Sequence, residues 1–236
     1  MKAAFRYALR HSFPIFVSFV PVGLAYGVLM QTAGYNWLWA GACSVFILAG
    51  SLQFLAVGFF AGGVSLVSVA VMALLLNSRH IFYGVPFLEQ WRRYGPWRLF
   101  LIYSLADENF SLHCSNDFDD GDARHQMWSH LFDALLVVVY WIVLSVLGAL
   151  IGSLIRFDTA GIDFAMTALF IVILLEQLRG ADRKLPALIA AVSSAVCLAL
   201  FGPSGFILPA LSVTVVLLFV FRRRIEPRKE ADAHGS

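Results

Sequence analysis

Charge is what this sequence has least of. Only 14% of its 236 residues are Asp, Glu, Lys or Arg, while 60% are hydrophobic; a soluble domain carries about 25% charged residues. So few ions cannot clothe a water-facing surface. The net charge of +2 supplies no basic field for nucleic acid, and no nucleic-acid partner is expected. Cysteine is equally sparse. Cys43, Cys114 and Cys197 stand far apart without a CxxC pair, which argues against a disulfide framework or a zinc site. The chain also lacks a phosphate-binding glycine loop, an HExxH pair and a GxSxG turn. Nucleotide hydrolysis, zinc proteolysis and serine-hydrolase chemistry therefore lack their usual residues. No cofactor and no metal are expected.

What the chain has in abundance is long apolar blocks. A bilayer core of about 30 Å needs about 20 apolar residues per helix, and eight blocks approach that length: residues 13–30, 37–60, 64–83, 97–113, 128–152, 162–178, 186–202 and 206–221. They are continuous and show no two-residue alternation, so they predict helices and not barrel strands. The expected fold is an all-α, polytopic transmembrane bundle of seven or eight spans, some of them broken. Residues 1–221 form one transmembrane domain, followed by a polar, disordered cytoplasmic tail over 222–236. The basic start MKAAFRYALRHSF resembles a signal peptide, but Pro14 and Pro21 interrupt the apolar run and no small-residue cleavage pattern ends it. It is predicted to be an uncleaved first span.

Lys and Arg orient a membrane chain, because cytoplasmic loops hold the excess. With eight spans and both ends inside, twelve of the seventeen fall inside and five outside. The exception is Arg92, Arg93 and Arg98, which look cytoplasmic yet fall outside by alternation. Trp37, Trp39, Trp91, Trp97 and Trp128 sit near block ends, where an aromatic belt belongs. The acidic run 116–122 reads as a solvated loop, since no glutamate follows at the spacing a calcium loop needs.

Polar groups inside spans are costly and by default face a cavity or a partner. The candidates are few. Gln53 follows Gly50 and Ser51, a small-residue pair suited to a helix break that offers backbone groups to a ligand. The alternative is that the small residues only let helices approach closely. Pro21 and Gly23 carry the same two readings. Asn77, Ser78, Arg79 and His80 stand between two apolar stretches. Arg79 stays charged and needs a carboxylate or the headgroups, and His80 titrates near neutrality. Asp107 and Glu108 point about 100° apart on a helix, so one of them is expected to meet Arg79. Asp133, Asp163 and Glu176 complete the set.

These residues lie in recognisable surroundings. The runs FPIFVSFVPVGLAYGVLMQTAG, LAGSLQF at 48–54, LNSRHIFYG at 76–84, SLADENF at 104–110 and DFAMTALFIVILLEQ at 163–177 resemble, in order, the AzlC family, the large subunits of bacterial branched-chain amino acid exporters. The resemblance implies export of hydrophobic amino acids across the cytoplasmic membrane and a small, separate AzlD-type membrane subunit. From the residues themselves, Gln53, Asn77, Arg79, Asp107 and Glu108 are the expected substrate contacts, and His80, Asp107 and Glu108 the expected proton carriers of an antiporter. Two other classes stay open. One is a non-transporting scaffold or sensor. The other is an intramembrane enzyme using His80, His113, Asp107 and Glu108.

Overall fold

The computed structural model describes residues 1–119, 121–154, 171, 174–175, 178, 184–202 and 206–221, with Ala61, Arg79 and Leu208 described by backbone alone. Every regular element among them is helical. Contacts gather the chain into two units, Met1–Val64 with Asn77–Leu169, and Ser65–Leu76 with Phe170–Ser236.

The spine of the first unit is a pair of long helices, α1 (Lys2–Thr32) and, later in the chain, α8 (Ala123–Leu154). At 1.5 Å per residue each is about 46–48 Å long, more than a bilayer core. The two run parallel, because contacts advance along both together. Phe5 meets Phe132 edge-on at 5.3 Å and Phe19 meets Trp141 at 5.0 Å; further on, Gly27 abuts Ser145 and Gly148, and Gly152 abuts Val28 and Gln31. Gly23 and Gly27 on α1, and Gly148 and Gly152 on α8, all lie in this seam, and each pair is four residues apart. In a bilayer helices gain little from mutual hydrophobicity, so close backbone packing through small residues holds them together. The chain passes through Pro21 and Gly23 without leaving the helix. The role of Gly23 is contact: a Cβ there would lie 2.8 Å from Leu144 Cβ.

α1 ends in a left-handed cap at Gly34 (φ +87°), where Tyr35 N–H reaches back to Met30 O and Gly34 N–H to Gln31 O. This satisfies carbonyls that the helix end would otherwise strand. Asn36 then caps the next helix by accepting from Leu38 and Trp39 N–H.

The block expected to be the second span is a hairpin of two half-helices, α2 (Trp37–Phe46) and α3 (Gly50–Gly62). Both of its outer ends lie beside Tyr35, whose ring is 6.2 Å from Trp39 and 5.1 Å from Phe60. Across the hairpin Gln53 Nε2 donates to Ser44 Oγ at 3.1 Å. Nine residues of unbroken helix would separate that pair by about 13 Å.

α4 (Leu66–Tyr83) follows, then a 3-10 turn Val85–Phe87 and α5 (Leu88–Arg92). The fourth block repeats the hairpin theme with α6 (Trp97–Tyr103) and α7 (Asp107–Ser115). Its two ends also lie together, against the first two turns of α8. Trp97 sits 5.7 Å from Trp128, and His113 Nδ1 lies 3.0 Å from His130 Nδ1. Read from sequence as spans, the second and fourth blocks each turn back to the end they came from. The acidic loop fastens this end: Asp122 accepts from Arg124 N–H to cap α8, and Asp117 accepts from Tyr7 on α1. That hydroxyl also holds the Asp117 carboxyl below the usual carboxylate range.

Among the described residues, three stretches are long and apolar enough to cross a bilayer: Lys2–Thr32, Leu66–Arg92 and Ala123–Leu154. In the second unit α9 (Leu185–Phe201) packs on α10 (Ile207–Val220), with Cys197 and Ala210 buried. Large apolar side chains such as Leu66 (86% exposed) and Leu154 (84%) point outward, as lipid requires. Asp163, Glu176, Arg222 and the rest of the 222–236 tail lie outside the described residues.

Candidate transport site

The tips of the two hairpins meet. Tyr103, the last residue of α6, donates its hydroxyl to the carbonyl of Val45 in the last turn of α2. A helix end leaves such carbonyls without a partner in the helix, and here the other hairpin supplies one. Between α2 and α3 the chain is strained: Leu48 has φ +43°, the one non-glycine residue with positive φ among those described. Side chains with a Cβ avoid this region by about 1–2 kcal/mol, and such outliers gather at functional sites.

Both half-helices that leave the tips start without a side-chain cap. α3 begins after Ala49 and α7 after Ala106, each in extended backbone. A helix N-terminus carries about half a positive charge, concentrated on first-turn amides. Two such ends near one junction make a place for an anionic group. Gly50 and Ser51 open α3, and Asp107 and Glu108 open α7. The junction therefore offers backbone positive charge and carboxylates together.

Gln53, an expected substrate contact, bonds within the protein. Fully buried, it donates to Ser44 Oγ and accepts from Trp141 Nε1 at 2.7 Å. This ties the α2–α3 tip to the middle of α8. Tyr26 packs against Phe54 and stacks on Trp141 at 6.0 Å, and its buried hydroxyl has no hydrogen-bond partner among the described residues. In the other tip Asn109 Nδ2 donates to Ser104 O at 2.5 Å, while its Oδ1 is buried with no partner among the described residues. An unsatisfied buried polar atom costs about 1–3 kcal/mol, so several near one junction call for a polar guest.

The end of α4 reaches the same tip. Tyr83 donates its hydroxyl to Asp107 and stacks on Phe110 at 4.6 Å, and His80 stands edge-on to Tyr83 at 5.3 Å. Asn77 Oδ1 is buried with no hydrogen-bond partner among the described residues. The side chain of Arg79, and with it the expected ion pair to Asp107 or Glu108, lies outside the described residues.

The model of the AzlC protein family matches residues 14–155. The chain belongs to the AzlC family. It is 36% identical over 224 residues to the branched-chain amino acid transport protein AzlC of Bacillus subtilis, covering 95% of this chain and 87% of that one. It is 35% identical to a membrane protein of Helicobacter pylori J99, over 94% and 97% of the two chains. A shorter likeness, 32% over 83 residues, links it to the inner membrane protein YgaZ of Escherichia coli, covering 35% of this chain and 34% of that one. No solved structure matches. With relatives named as membrane proteins and apolar helices of spanning length, this AzlC-family chain is a multi-pass protein of the bacterial cytoplasmic membrane.

Sequence reasoning missed Tyr26, Tyr83, Tyr103 and Trp141. The last carried a signal, because tryptophan in membrane helices belongs at the interfaces, and Trp141 stands in mid-block with no interface near. It also passed over His11 and His130, which the structure pairs with Asp133 and His113, respectively.

Proposed function

We propose that this chain is the large subunit of a secondary transporter that exports branched-chain and similar hydrophobic amino acids, working with a small AzlD-type membrane subunit. The observation that carries the reading is the meeting of two interrupted hairpins whose outward half-helices both begin at the junction. Broken helices at mid-membrane are how secondary transporters offer backbone groups to a substrate.

A zwitterionic amino acid makes three demands, and the junction can answer each. The uncapped starts of α3 and α7, with Arg79, take the carboxylate. Asp107 or Glu108 takes the ammonium, with Asn77 and Asn109 beside them. Surrounding Phe, Leu and Val take the side chain. An apolar pocket separates substrates by only about 1–3 kcal/mol per methylene, so several hydrophobic amino acids are expected to share it. Gln53 acts by holding the α2–α3 tip in place. Transport, not catalysis, is the activity.

In this reading the eight apolar blocks are six crossings and two re-entrant hairpins, one from each face. Arg93 and Arg124 line one cavity, which supports assigning the 92–98 stretch to the cytoplasmic side together with the start of α8. Counting Arg92, Arg93 and Arg98 there raises the inner total from twelve to fifteen of seventeen Lys and Arg residues, and the charge exception disappears. Uphill export is driven by proton antiport, with His80, Asp107 and Glu108 as carriers at the junction.

The test is efflux of labelled valine, leucine, isoleucine and methionine from preloaded cells expressing the chain with and without its small subunit. Efflux is expected to need both chains and to fall at least tenfold in Asp107→Asn and Arg79→Ala. Unchanged efflux in both variants would remove the site assignment.

A further inference from the structure

A second ionisable cluster lies at the other end of α7, away from the junction. His113 (3% exposed) on α7 and His130 (1%) on α8 are buried, with their Nδ1 atoms 3.0 Å apart. His130 Nε2 lies 3.2 Å from Gln90 Nε2. Gln90 in turn lines a cavity of about 690 Å³ whose wall also carries Glu89, Arg93 and Arg124. Charged side chains of both signs make this a hydrated space. At the inner end of the chain of contacts, His113 Nε2 is buried with no hydrogen-bond partner among the described residues.

The donors and acceptors allow two arrangements only. An amide N–H of Gln90 is a donor, so in the geometry seen His130 Nε2 accepts. A neutral His130 then holds its proton on Nδ1 and donates it to His113 Nδ1, and a neutral His113 carries its proton on Nε2. If the Gln90 amide turns over, its oxygen accepts from His130 Nε2–H and every bond reverses. His113 then donates from Nδ1, and its Nε2 is bare. The two states differ by the passage of one proton.

We propose that His113, His130 and Gln90 form a proton relay between the interior of the bundle and the cavity beside α5 and α8, and that it is the cytoplasmic proton path of the transporter. The assignment rests on the transport reading above. In the release direction a proton binds bare His113 Nε2, His113 passes its Nδ1 proton to His130 Nδ1, and His130 gives its Nε2 proton to cavity water. One proton enters, one leaves, and both rings end neutral in the arrangement observed. The relay resets when the Gln90 amide turns and each ring changes tautomer on its own side: His113 takes a proton on Nδ1 from the interior and returns its Nε2 proton there, and His130 takes a proton on Nε2 from cavity water and returns its Nδ1 proton there, with no net transfer. The entry ring is carried on α7 itself, whose first turn holds Asp107 and Glu108, about 9 Å along the axis.

Neighbouring groups suit the task. The rings of Phe87 and Trp91 pack edge-on against His113 and keep bulk water away, and Tyr94 flanks His130. The other ionisable pair nearby is His11 on α1 with buried Asp133 on α8, 3.1 Å apart. Asn116 and Ser115 hold that pair, which lets it set the local field without joining the relay.

The test separates coupling from transport. Chain and small subunit are reconstituted in liposomes and two rates are measured: counterflow of labelled leucine, which needs no net proton movement, and leucine accumulation driven by a pH gradient. In His130→Asn and Gln90→Leu counterflow is expected to stay within about twofold of wild type, and gradient-driven accumulation to fall at least tenfold. Accumulation at the wild-type level in both variants would overturn the relay, as would parallel loss of both rates in both. Absence of counterflow in the wild type would count against the transport reading instead. The relay would then still be tested by ¹⁵N NMR of labelled histidine. Paired neutral tautomers at His113 and His130 that are disturbed by Gln90→Leu support it, and two independent, solvent-like imidazoles overturn it.

Discussion

Replacing Gly27 by alanine adds one methyl group where two helix backbones touch. A Cβ there would lie 2.0 Å from Ser145 O, 2.4 Å from Ala149 N and 2.7 Å from Gly148 C. Ordinary contact begins near 3.4 Å, so α1 and α8 must part by more than about 1 Å. The obstructing atoms are all backbone, and no side chain can swing aside. A gap of 0.5–1 Å already forfeits about a quarter to a half of each dispersion contact along a seam. Overpacking typically costs about 1–3 kcal/mol, and this site belongs at the upper end. Against it stands the better helix propensity of alanine, about 1 kcal/mol. The net expectation is a loss of about 2 kcal/mol, near thirtyfold in the folding equilibrium. Gly58→Ala in α3 is the control, since a Cβ there meets nothing within 4 Å. It should be neutral or up to about 1 kcal/mol more stable. Unfolding titrations in mixed micelles measure both. Equal stability of Gly27→Ala and wild type would refute the parallel, backbone-to-backbone seam.

Trp141→Phe leaves Gln53 Oε1 buried without its donor; it should cost about 1–3 kcal/mol and expose the α2–α3 tip to faster hydrogen exchange around Gly50. An unchanged exchange rate there would contradict the bracing role. Asn36→Ala removes the cap of α2 and should destabilise by about 1 kcal/mol, read in the same titration, with a much smaller effect on transport than Asp107→Asn.

How much of this was legible beforehand depends on whether a feature is local. The apolar blocks follow from runs of residue types. A break near Gly50–Ser51 could be suspected from two small residues in a long block. That the chain turns back after the break could not, because the Ser44–Gln53 contact exists only once the hairpin has closed. Yet one trace of it stood in the sequence. Arg92, Arg93 and Arg98 violate the charge rule only if block two is counted as a crossing, and the later basic loops then stay inside only if block four turns back as well. Asp107 and Glu108 were visible as carboxylates inside a span, while Tyr83 and Tyr103 looked like ordinary aromatic residues until the tips met. His11 and His130 sit near the starts of long helices, where an exposed histidine would pass unnoticed; His11 is half-buried and His130 buried, and their partners lie 122 and 17 residues away, respectively.

Movement of hydrophobic amino acids by this chain can be measured directly. The decisive measurement is counterflow of labelled leucine into liposomes containing the purified chain and its small subunit, preloaded with unlabelled valine, isoleucine or methionine. Saturable uptake is expected with each preload, abolished by Asp107→Asn and Arg79→Ala in protein that remains folded. Uptake no faster than in empty liposomes, with both subunits inserted and folded, would contradict the transport reading.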